Sequence, residues 1–416
     1  MKLRELTNDE FLNFSNSYNM ESIYQTVEYA LVMNKQKFDA MFIGLIDENN
    51  YIVAASLILI EKSNHFKYAY APRGFLIDYC NHNLLKIFTD EIKKFLGKKN
   101  IIAIKISPYI VRNTYDTKYG IVTKNNYYDN ILQNLQQLGY YHLGYNEKFE
   151  ALKPRYEAII DLDMPYYMIF KNFKKSLRTK IRSAEINGVK IYKGSEENLP
   201  YLYLQTKKKY PRDLKYFEEC YNQFSKSNNI EFFYAKIDTE IYLKTMQKRY
   251  TTQEELCSTI NNKIMENINQ SNKYMNQKLE ADKQFDRYKK ELIKATKMLR
   301  DKPEGIVIAS ALIIKNKNEV FLLMDGYNPE YKKMNAKHLL LWKLCERYAK
   351  IGFKRFNLNG IAAINNTPLE YKGLNEFKLN FNAHAIEYIG DLELITNNAL
   401  YFMYQNTSPI RNILKK

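Results

Sequence analysis

Ile52-Val53-Ala54-Ala55-Ser56-Leu57-Ile58-Leu59-Ile60 is written a second time as Ile306-Val307-Ile308-Ala309-Ser310-Ala311-Leu312-Ile313-Ile314. An Ile-Asp pair stands upstream of each copy, Ile46-Asp47 and Ile237-Asp238. In the first copy the pair and the phrase are separated by a turn at Glu48-Asn49-Asn50. In the second, a segment from about Thr239 to Gly305 stands in that place. An internal repeat constrains the whole fold. The chain is a duplicated unit whose second copy carries an insertion at a hairpin turn.

Each copy sits in the same succession of elements. In the first half Ala40–Asp47 and Tyr51–Glu61 read as hairpin strands and Phe66–Tyr70 as a third strand. A helix follows over about Asn83–Leu96, then a buried strand at Ile101–Ile106. In the second half Ile230–Ile237, Ile306–Lys315 and Val320–Met324 are the strands. Ala336–Lys350 is the helix and Arg355–Leu358 the closing strand. The helices space apolar residues at 3.6 (Leu341, Leu344, Cys345, Tyr348), and the strands are β-branched and aromatic. The expected class is α/β (mixed α+β), with a mixed sheet in each half.

The insertion differs in chemistry. Glu240 to Lys302 holds no Gly and no Pro. Apolar residues recur at helical spacing: Leu256, Ile260, Ile264 and Ile268, then Met275, Leu279, Tyr288, Leu292 and Leu299. A polar break at Asn269-Gln270-Ser271-Asn272 divides them. This pattern predicts an antiparallel two-helix coiled-coil arm, each helix roughly 40 Å long and projecting from the body. The expected divisions are 1–150, then 151–238 with 306–400, an arm at 239–305 and a tail at 401–416.

No run reaches the ~18 apolar residues of a membrane span, and the first residues lack a signal-peptide core. A soluble cytoplasmic protein is expected. The four cysteines are scattered and suggest neither a zinc site nor a disulfide framework. The formal charge is +17. Such a surface attracts nucleic acid, anionic lipid or phosphorylated substrates. Part of the lysine excess follows a general richness in Lys, Asn, Ile and Tyr, residues with A/T-rich codons. One helix concentrates the charge: about Tyr167–Asn187, where Lys171, Lys174, Lys175, Arg178 and Arg182 fall nearly in line. They lie beside an apolar face of Phe170, Phe173, Leu177, Ile181 and Ala184. With no acid before Glu185, this stripe is a candidate surface for phosphate or tRNA.

P-loop, GxGxxG, HExxH and GxSxG motifs are absent, and the five histidines show no metal spacing. The halves resemble acyl-CoA N-acyltransferases (the GNAT fold) but lack their Gly-rich pyrophosphate loop. Small acyl-CoA donors are therefore disfavoured.

Four local clusters remain: Tyr68–Asp78, Pro211–Phe217, Asn359-Gly360-Ile361 and Asn375–Phe381. Together and in this order they resemble the FemABX family, over nearly the whole chain. Tyr70–Asp78 is similar to its Y-A-x-R/K-G-P-x-x-D segment, and Leu177–Val189 to its basic helix. Arg212 and Tyr216 match R-x-x-x-Y-F. Leu340-Leu341-Trp342 and Arg355–Ile361 match a later helix and G-G-I turn, and Phe377-Lys378 an F-K pair. The inserted helices correspond to the arm of the FemA and FemB branch. Four positions depart from the pattern: Phe75, Ser107 before Pro108, Asn359, and Met33 where some members carry a lysine.

The resemblance implies two tandem GNAT-like subdomains and a non-ribosomal aminoacyltransferase. It would take an amino acid from aminoacyl-tRNA, as co-substrate and without other cofactor, to a peptidoglycan precursor amine. The precursor would be lipid II or a nucleotide-linked equivalent. It implies Lys378 as the catalytic residue, and Arg73, Arg212, Tyr216, Lys35 (a stand-in near Met33) and Phe377 as substrate-binding residues. The implied location is the inner face of the bacterial membrane, in peripheral contact with anionic lipid. Pairing with a like chain or a paralogue stays open. Two other readings stay open as well: a non-catalytic relative that binds tRNA or a partner, and an N-acyltransferase with another donor.

Overall fold

The computed structural model describes residues 1–19, 22–62, 66–116, 121–149, 153–208, 212–266 and 271–407. In the first half the order is β1 (Lys2–Glu5), α1 (Asn8–Ser17), α2 (Val27–Lys35), β2 (Asp39–Ile46), β3 (Ile52–Lys62) and β4 (Lys67–Arg73). Then come α3 (His82–Lys98), β5 (Ile101–Pro108), β6 (Val111–Asp116), β7 (Ile121–Lys124), α4 (Tyr128–Gln137) and β8 (Tyr140–His142). The second half opens with β9 (Tyr156–Asp161), α5 (Tyr166–Asn172), α6 (Lys175–Ile186), β10 (Val189–Gly194), α7 (Leu199–Thr206), α8 (Leu214–Ser225) and β11 (Ile230–Ile237). Helices α9 (Thr239–Glu266) and α10 (Ser271–Asp301) follow. The chain closes with β12 (Ile306–Asn316), β13 (Glu319–Tyr327), α11 (Ala336–Lys350), β14 (Arg355–Ile361), α12 (Leu369–Leu379), β15 (His384–Tyr388), β16 (Leu392–Ile395) and α13 (Asn398–Thr407).

The strands build two mixed sheets, in the orders β1-β2-β3-β4-β5-β16-β8 and β10-β11-β12-β13-β14-β9-β15-β6-β7. The repeat is visible in the pairing. β1 to β4 are antiparallel neighbours and β4 runs parallel to β5 across helix α3. β10 to β13 repeat this, with β14 parallel to β13 across α11. Both quoted phrases carry a fully buried serine, Ser56 and Ser310. Each meets a glutamine from an upstream turn or helix. The amide oxygen of Gln25 accepts from the Leu57 N–H beside Ser56 at 2.8 Å, and Ser310 Oγ donates to Gln205 at 2.7 Å. The buried polar atoms of the two copies are thus satisfied in parallel ways.

The sheets cross the division expected at residue 150. β6 and β7 leave the first half to pair in the second sheet, and β16 returns from the second half to sit between β5 and β8. Beyond each half's own core, a third apolar cluster joins them. It includes Phe11, Tyr24, Leu57 and Leu76 from the first half with Leu202, Phe217, Phe232 and Leu312 from the second. Each buried large apolar side chain contributes roughly 1.5–3 kcal/mol. The halves are therefore packed together rather than tethered.

Helices α9 and α10 occupy the place of the first hairpin's turn. Ile46 pairs with Ile52 in one copy, and Ile237 with Ile306 in the other. Asp238 caps the start of α9 by accepting from the Ile241 N–H at 3.0 Å. The two helices run antiparallel along each other: Tyr242 meets Glu291, Tyr250 meets Phe285, and Gln253 meets the Ala281 carbonyl. Leu256, Met275 and Leu279, assigned to the seam by their spacing, are exposed instead. Ile268 and the break at Asn269-Gln270 fall outside the described residues. The presumed tail from 401 begins inside α13, whose Leu400, Tyr401 and Tyr404 pack on Tyr68 and Ile102; 408–416 lie outside the described residues.

Candidate functional site

The parallel strands β13 and β14 pair only over Glu319–Phe321 with Arg355–Asn357. Past that point they have no common register, while their counterparts β4 and β5 stay paired to Arg73 and Pro108. The second half is therefore the one that parts its strands, the usual place for a ligand in an α/β sheet. Asp325 stands on the parted segment of β13, and Asn359-Gly360 on that of β14. Asn359 has φ +66°, a left-handed conformation that Gly and Asn tolerate and most residues do not. Its amide donates to the Leu322 carbonyl at 3.3 Å, tying the two strands where they separate.

Lys378 reaches this place from α12. It is 6% exposed, and its Nζ donates to the Gly360 carbonyl at 2.6 Å. One turn earlier, Asn375 bonds both the N–H and the C=O of Ala362 at 3.0 Å, fixing the helix to the end of β14. Burial pushes the Lys378 amine down to about 7; Asp325 and Glu157 oppose this and Lys337 adds to it. Lys337 itself pairs with Asp325 at 2.6 Å and lies 4.3 Å over the Phe377 ring. His338 packs against the same ring, and burial with Lys180 and Lys337 nearby pushes its imidazole down to about 4. It is therefore neutral at pH 7. The cluster holds one amine near half-protonation in a dry setting. Such a group can donate a hydrogen bond to a developing oxyanion or exchange a proton near neutrality.

Glu157 on β9 links this cluster to the first half. It lies opposite Gly360 in the sheet. Its carboxylate accepts from Arg73 at 2.7 Å, and from Asn357 and the Tyr388 hydroxyl at 2.8 Å. Arg73 also donates to the Pro154 carbonyl at 2.6 Å and lies 4.2 Å from the Tyr388 ring centre. At 2% exposure it is an interior strut. The substrate contact that the resemblance implies for Arg73 does not fit this placement, because the side chain is turned inward onto Glu157.

Arg212 and Tyr216 do come together. Asp213 caps α8 through the Tyr216 N–H at 2.9 Å, and the Arg212 guanidinium lies 4.5 Å over the Tyr216 ring. Pro211, before them, is outside the described residues. α8 packs on α2, which brings Tyr29 into the same neighbourhood. Met33 is buried on α2. Lys35 is exposed in its last turn, six residues and about 240° beyond Tyr29, so it faces away from this group. Phe377 is half-buried beside Lys378. The departure at Ser107 also finds a partner: its hydroxyl donates to Asp391 at 2.7 Å, and Lys105 pairs with the same carboxylate.

The basic helix expected over Tyr167–Asn187 is two helices. Phe173 and Lys174 are extended, at ψ 148° and 142°, so α5 ends before α6 begins. Phe173 turns into the core against Trp342 and Phe381. Lys171 and Lys174 are exposed and lie before α6, while Lys175, Arg178 and Arg182 stay within about 60° of one α6 face. Arg178 donates to the Lys171 carbonyl across the break at 3.1 Å, and Arg182 lies over Phe170. A straighter stripe runs along α10. Lys283, Arg287, Lys290, Lys294 and Lys297 are all exposed on one face, and among the described residues none is ion-paired. In the sequence the stripe is masked by the apolar spacing of the same segment.

A sequence model of the FemAB family matches residues 6–408. The chain belongs to the FemAB family. It is 24% identical to the aminoacyltransferase FemA of Staphylococcus epidermidis over 423 residues, 99% of this chain and all of that one. The FemA of Staphylococcus aureus is equally similar, 24% over 424 residues and 99% of each chain. The crystal structure of FemX superposes with a TM-score of 0.73 at 22% identity, covering 97% of this chain and 99% of that one. Membership makes the chain an aminoacyltransferase of mixed α/β fold. Among the described residues no helix is long and apolar enough to cross a membrane, and no group of three or more His, Cys, Asp or Glu could hold a metal ion.

Glu157, Asp325 and Lys337 were not read from the sequence as site residues. A carboxylate interrupting an apolar strand, as in Tyr156-Glu157-Ala158-Ile159 and Leu323-Met324-Asp325, is a usable signal for two of them.

Proposed function

We propose that the chain moves an amino acid from aminoacyl-tRNA to an amine of a peptidoglycan precursor, on its stem or bridge peptide. The precursor is lipid II or its nucleotide-linked counterpart. The observation that carries this reading is Lys378, a buried amine near neutrality held on the Gly360 carbonyl where β13 and β14 part.

The acceptor nitrogen attacks the ester carbonyl carbon of the charged tRNA. A C–N bond forms and the carbonyl oxygen becomes an oxyanion. Collapse breaks the bond to the ribose oxygen, which leaves with a proton that the attacking ammonium gives up. The ester is already activated, so the protein needs no nucleophile and no cofactor. A free lysine-type amine is only about one part in a thousand neutral at pH 7, so its proton must be removed by desolvation or a base. Lys378, protonated, supplies a preplaced donor to the oxyanion. Arg212 and Tyr216 receive the precursor's anionic group, since the guanidinium fork suits phosphate and carboxylate.

The antiparallel pair α9–α10 acts as a coiled-coil arm, and its five-cation stripe is the tRNA-facing surface. Its overall excess is modest, fourteen Lys and Arg against nine Asp and Glu between Glu240 and Lys302; the alignment of the cations, more than their number, supports the role. A net +17 suits an anionic membrane surface as well.

Lys378→Met tests the reading. Transfer from a pool of charged tRNAs to lipid II, followed by mass of the product, should fall about 10²–10³-fold, the usual effect of removing one oxyanion donor. Undiminished transfer by a folded variant removes Lys378 from the mechanism. Failure of the unaltered protein to transfer from any charged tRNA removes the reading and leaves a binding relative or another acyl donor.

A further inference from the structure

Asp325 stands four residues past Phe321, the last residue of β13 to pair with β14, and Gly360 three past Asn357 on the other strand. At about 3.3 Å per residue, the two lie at nearly the same depth in the gap. Lys337 balances the Asp325 charge at 2.6 Å, and the pair borders solvent, the two side chains being 18% and 15% exposed. Yet among the described residues no hydrogen bond reaches Asp325 Oδ2, although that oxygen is enclosed. An enclosed carboxylate oxygen without a donor calls for an explanation. Glu157, the other carboxylate that acts on Lys378, has no such deficit, since Arg73, Asn357 and Tyr388 all donate to it.

The donor supplies what is lacking. An amino acid esterified to tRNA keeps a free α-amine, whose ordinary pKa of about 7.7–8.0 makes it largely a cation at neutral pH. Its nitrogen is two bonds from the ester carbonyl carbon, about 2.5 Å away. With the oxyanion on Lys378, the ammonium therefore lies close to a second cation, in a cluster where Lys337 adds a third. A carboxylate in the same gap offsets that repulsion. In the free protein Lys337 fills the place of the donor's ammonium. It lies 4.3 Å over the Phe377 ring and 5.9 Å from the Tyr327 ring. It thus keeps aromatic neighbours when an incoming ammonium takes its share of the carboxylate.

We propose that Asp325 receives the α-ammonium of the amino acid to be transferred, and that the site thereby selects esters whose α-amine is free. The proposal rests on the charged-tRNA reading above and gives that donor a second point of attachment beside Lys378. The contact is a salt bridge, with N–H donors on the ammonium and the acceptor on Asp325; no covalent bond changes. Esters of N-acylated amino acids, such as peptidyl-tRNA or a formylated aminoacyl-tRNA, lack the ammonium. They leave Asp325 to Lys337 and are poor donors. The site so distinguishes a tRNA carrying one free amino acid from a tRNA already carrying a peptide.

A comparison of donors with the full chain, at a pH below the α-amine's own, tests this. The tRNA charged with the amino acid that the pooled assay transfers best is set beside two derivatives, with lipid II as acceptor. One is its α-hydroxyacyl counterpart, made by nitrous-acid deamination, and the other its N-acetyl form. The α-hydroxyacyl ester removes the charge without adding bulk. It should be used about 10–100-fold less well in kcat/KM, the worth of one hydrogen bond to a charged group, and the N-acetyl ester as poorly or worse. In Asp325→Asn the ratio of aminoacyl to α-hydroxyacyl transfer should approach unity. Loss of Asp325 also lowers the Lys378 amine further, because Asp325 opposes its depression. That effect, like general damage to the fold, slows every donor alike and cancels in the ratio. Equal use of the two esters by the unaltered chain overturns the proposal whether or not the variant folds, and so does an undiminished ratio in Asp325→Asn. Absence of transfer from every charged tRNA overturns the donor reading and this proposal with it.

Discussion

At the scale of single residues, the Lys378 cluster is a small electrostatic balance with a consequence for pH. Burial and Lys337 push the amine down, Asp325 and Glu157 pull it up, and it settles near 7. As an oxyanion donor it must carry its proton, so its working form declines as pH rises through 7. The acceptor amine needs the opposite change, and the product of the two is a bell-shaped profile. Lys337→Met removes a repulsion and frees Asp325 from its 2.6 Å partner. Both effects raise the Lys378 pKa, and the descending limb of kcat should move to higher pH by about one unit. A limb that stays in place would show that another group sets it. The unfolded chain's lysine titrates near 10.4 and the folded one near 7, so between these values the unfolded state binds more protons. Stability should therefore rise with pH across that window. The position of Lys378 was readable through its F-K neighbourhood. Its burial was not, because a lysine in an interior and a lysine in water look alike in a sequence. The same blindness hid the burial of Arg73, which the Glu157 carboxylate holds in the interior.

At the scale of elements, what was legible followed from periodicity. Alternation and β-branching marked the hairpins, and a long stretch without Gly or Pro marked α9 and α10. Gly305 closes the insertion at φ +90°, and a Cβ there would collide with the Ile237 carbonyl, so the glycine marks where the chain re-enters the sheet. The break between α5 and α6 carries no Gly or Pro. It arises because Phe173 gains more by packing on Trp342 and Phe381 than by staying helical, a tertiary decision that local propensity does not record. The same break sets Lys171 and Lys174 apart from Lys175, Arg178 and Arg182, and α10 supplies a longer continuous line. Steps of four, three, four and three residues keep Lys283, Arg287, Lys290, Lys294 and Lys297 within about 80° of one helix face. Replacing Lys283, Lys290 and Lys297 by Glu should weaken tRNA binding at least about tenfold and flatten its dependence on salt, since fewer counterions are released. Filter binding across a salt series reads both quantities. Unchanged affinity with an unchanged slope would move tRNA contact off the helices.

At the scale of the whole molecule, duplication and interlocking pull in different directions. The repeat suggests two units that could fold separately, and the sequence division at residue 150 expresses that. Strand exchange opposes it. Without β16 the first sheet has a gap between β5 and β8, and without β6 and β7 the second loses an edge. Partner choice among short strands such as Val111–Asp116 is settled by what they dock against, so no local pattern announces it. The Arg73–Glu157 pair and the shared apolar cluster then join the halves at the candidate site itself. Arg212, Tyr216 and Lys378 belong to the second half and Tyr29, packed beside Tyr216, to the first, so a rigid junction keeps the site's two walls together. The chain's single tryptophan makes this testable. Trp342 is buried in the second half, with Phe170 at 4.7 Å and Phe173 at 5.6 Å. Its fluorescence reports that half alone, while far-ultraviolet circular dichroism reports both. In urea the two signals should share one midpoint and one slope, as a single cooperative transition requires. Helices α9 and α10 add a qualification to the dichroism: their outer turns touch little else, and a shallow early loss of helix should precede the main transition. Deleting residues 239–305 behind a short turn should abolish that early loss and leave the shared midpoint. If the tryptophan transition instead separates from the dichroism transition in the deleted protein, the halves unfold independently. The junction would then not be the rigid frame that the exchanged strands and the buried Arg73–Glu157 pair imply.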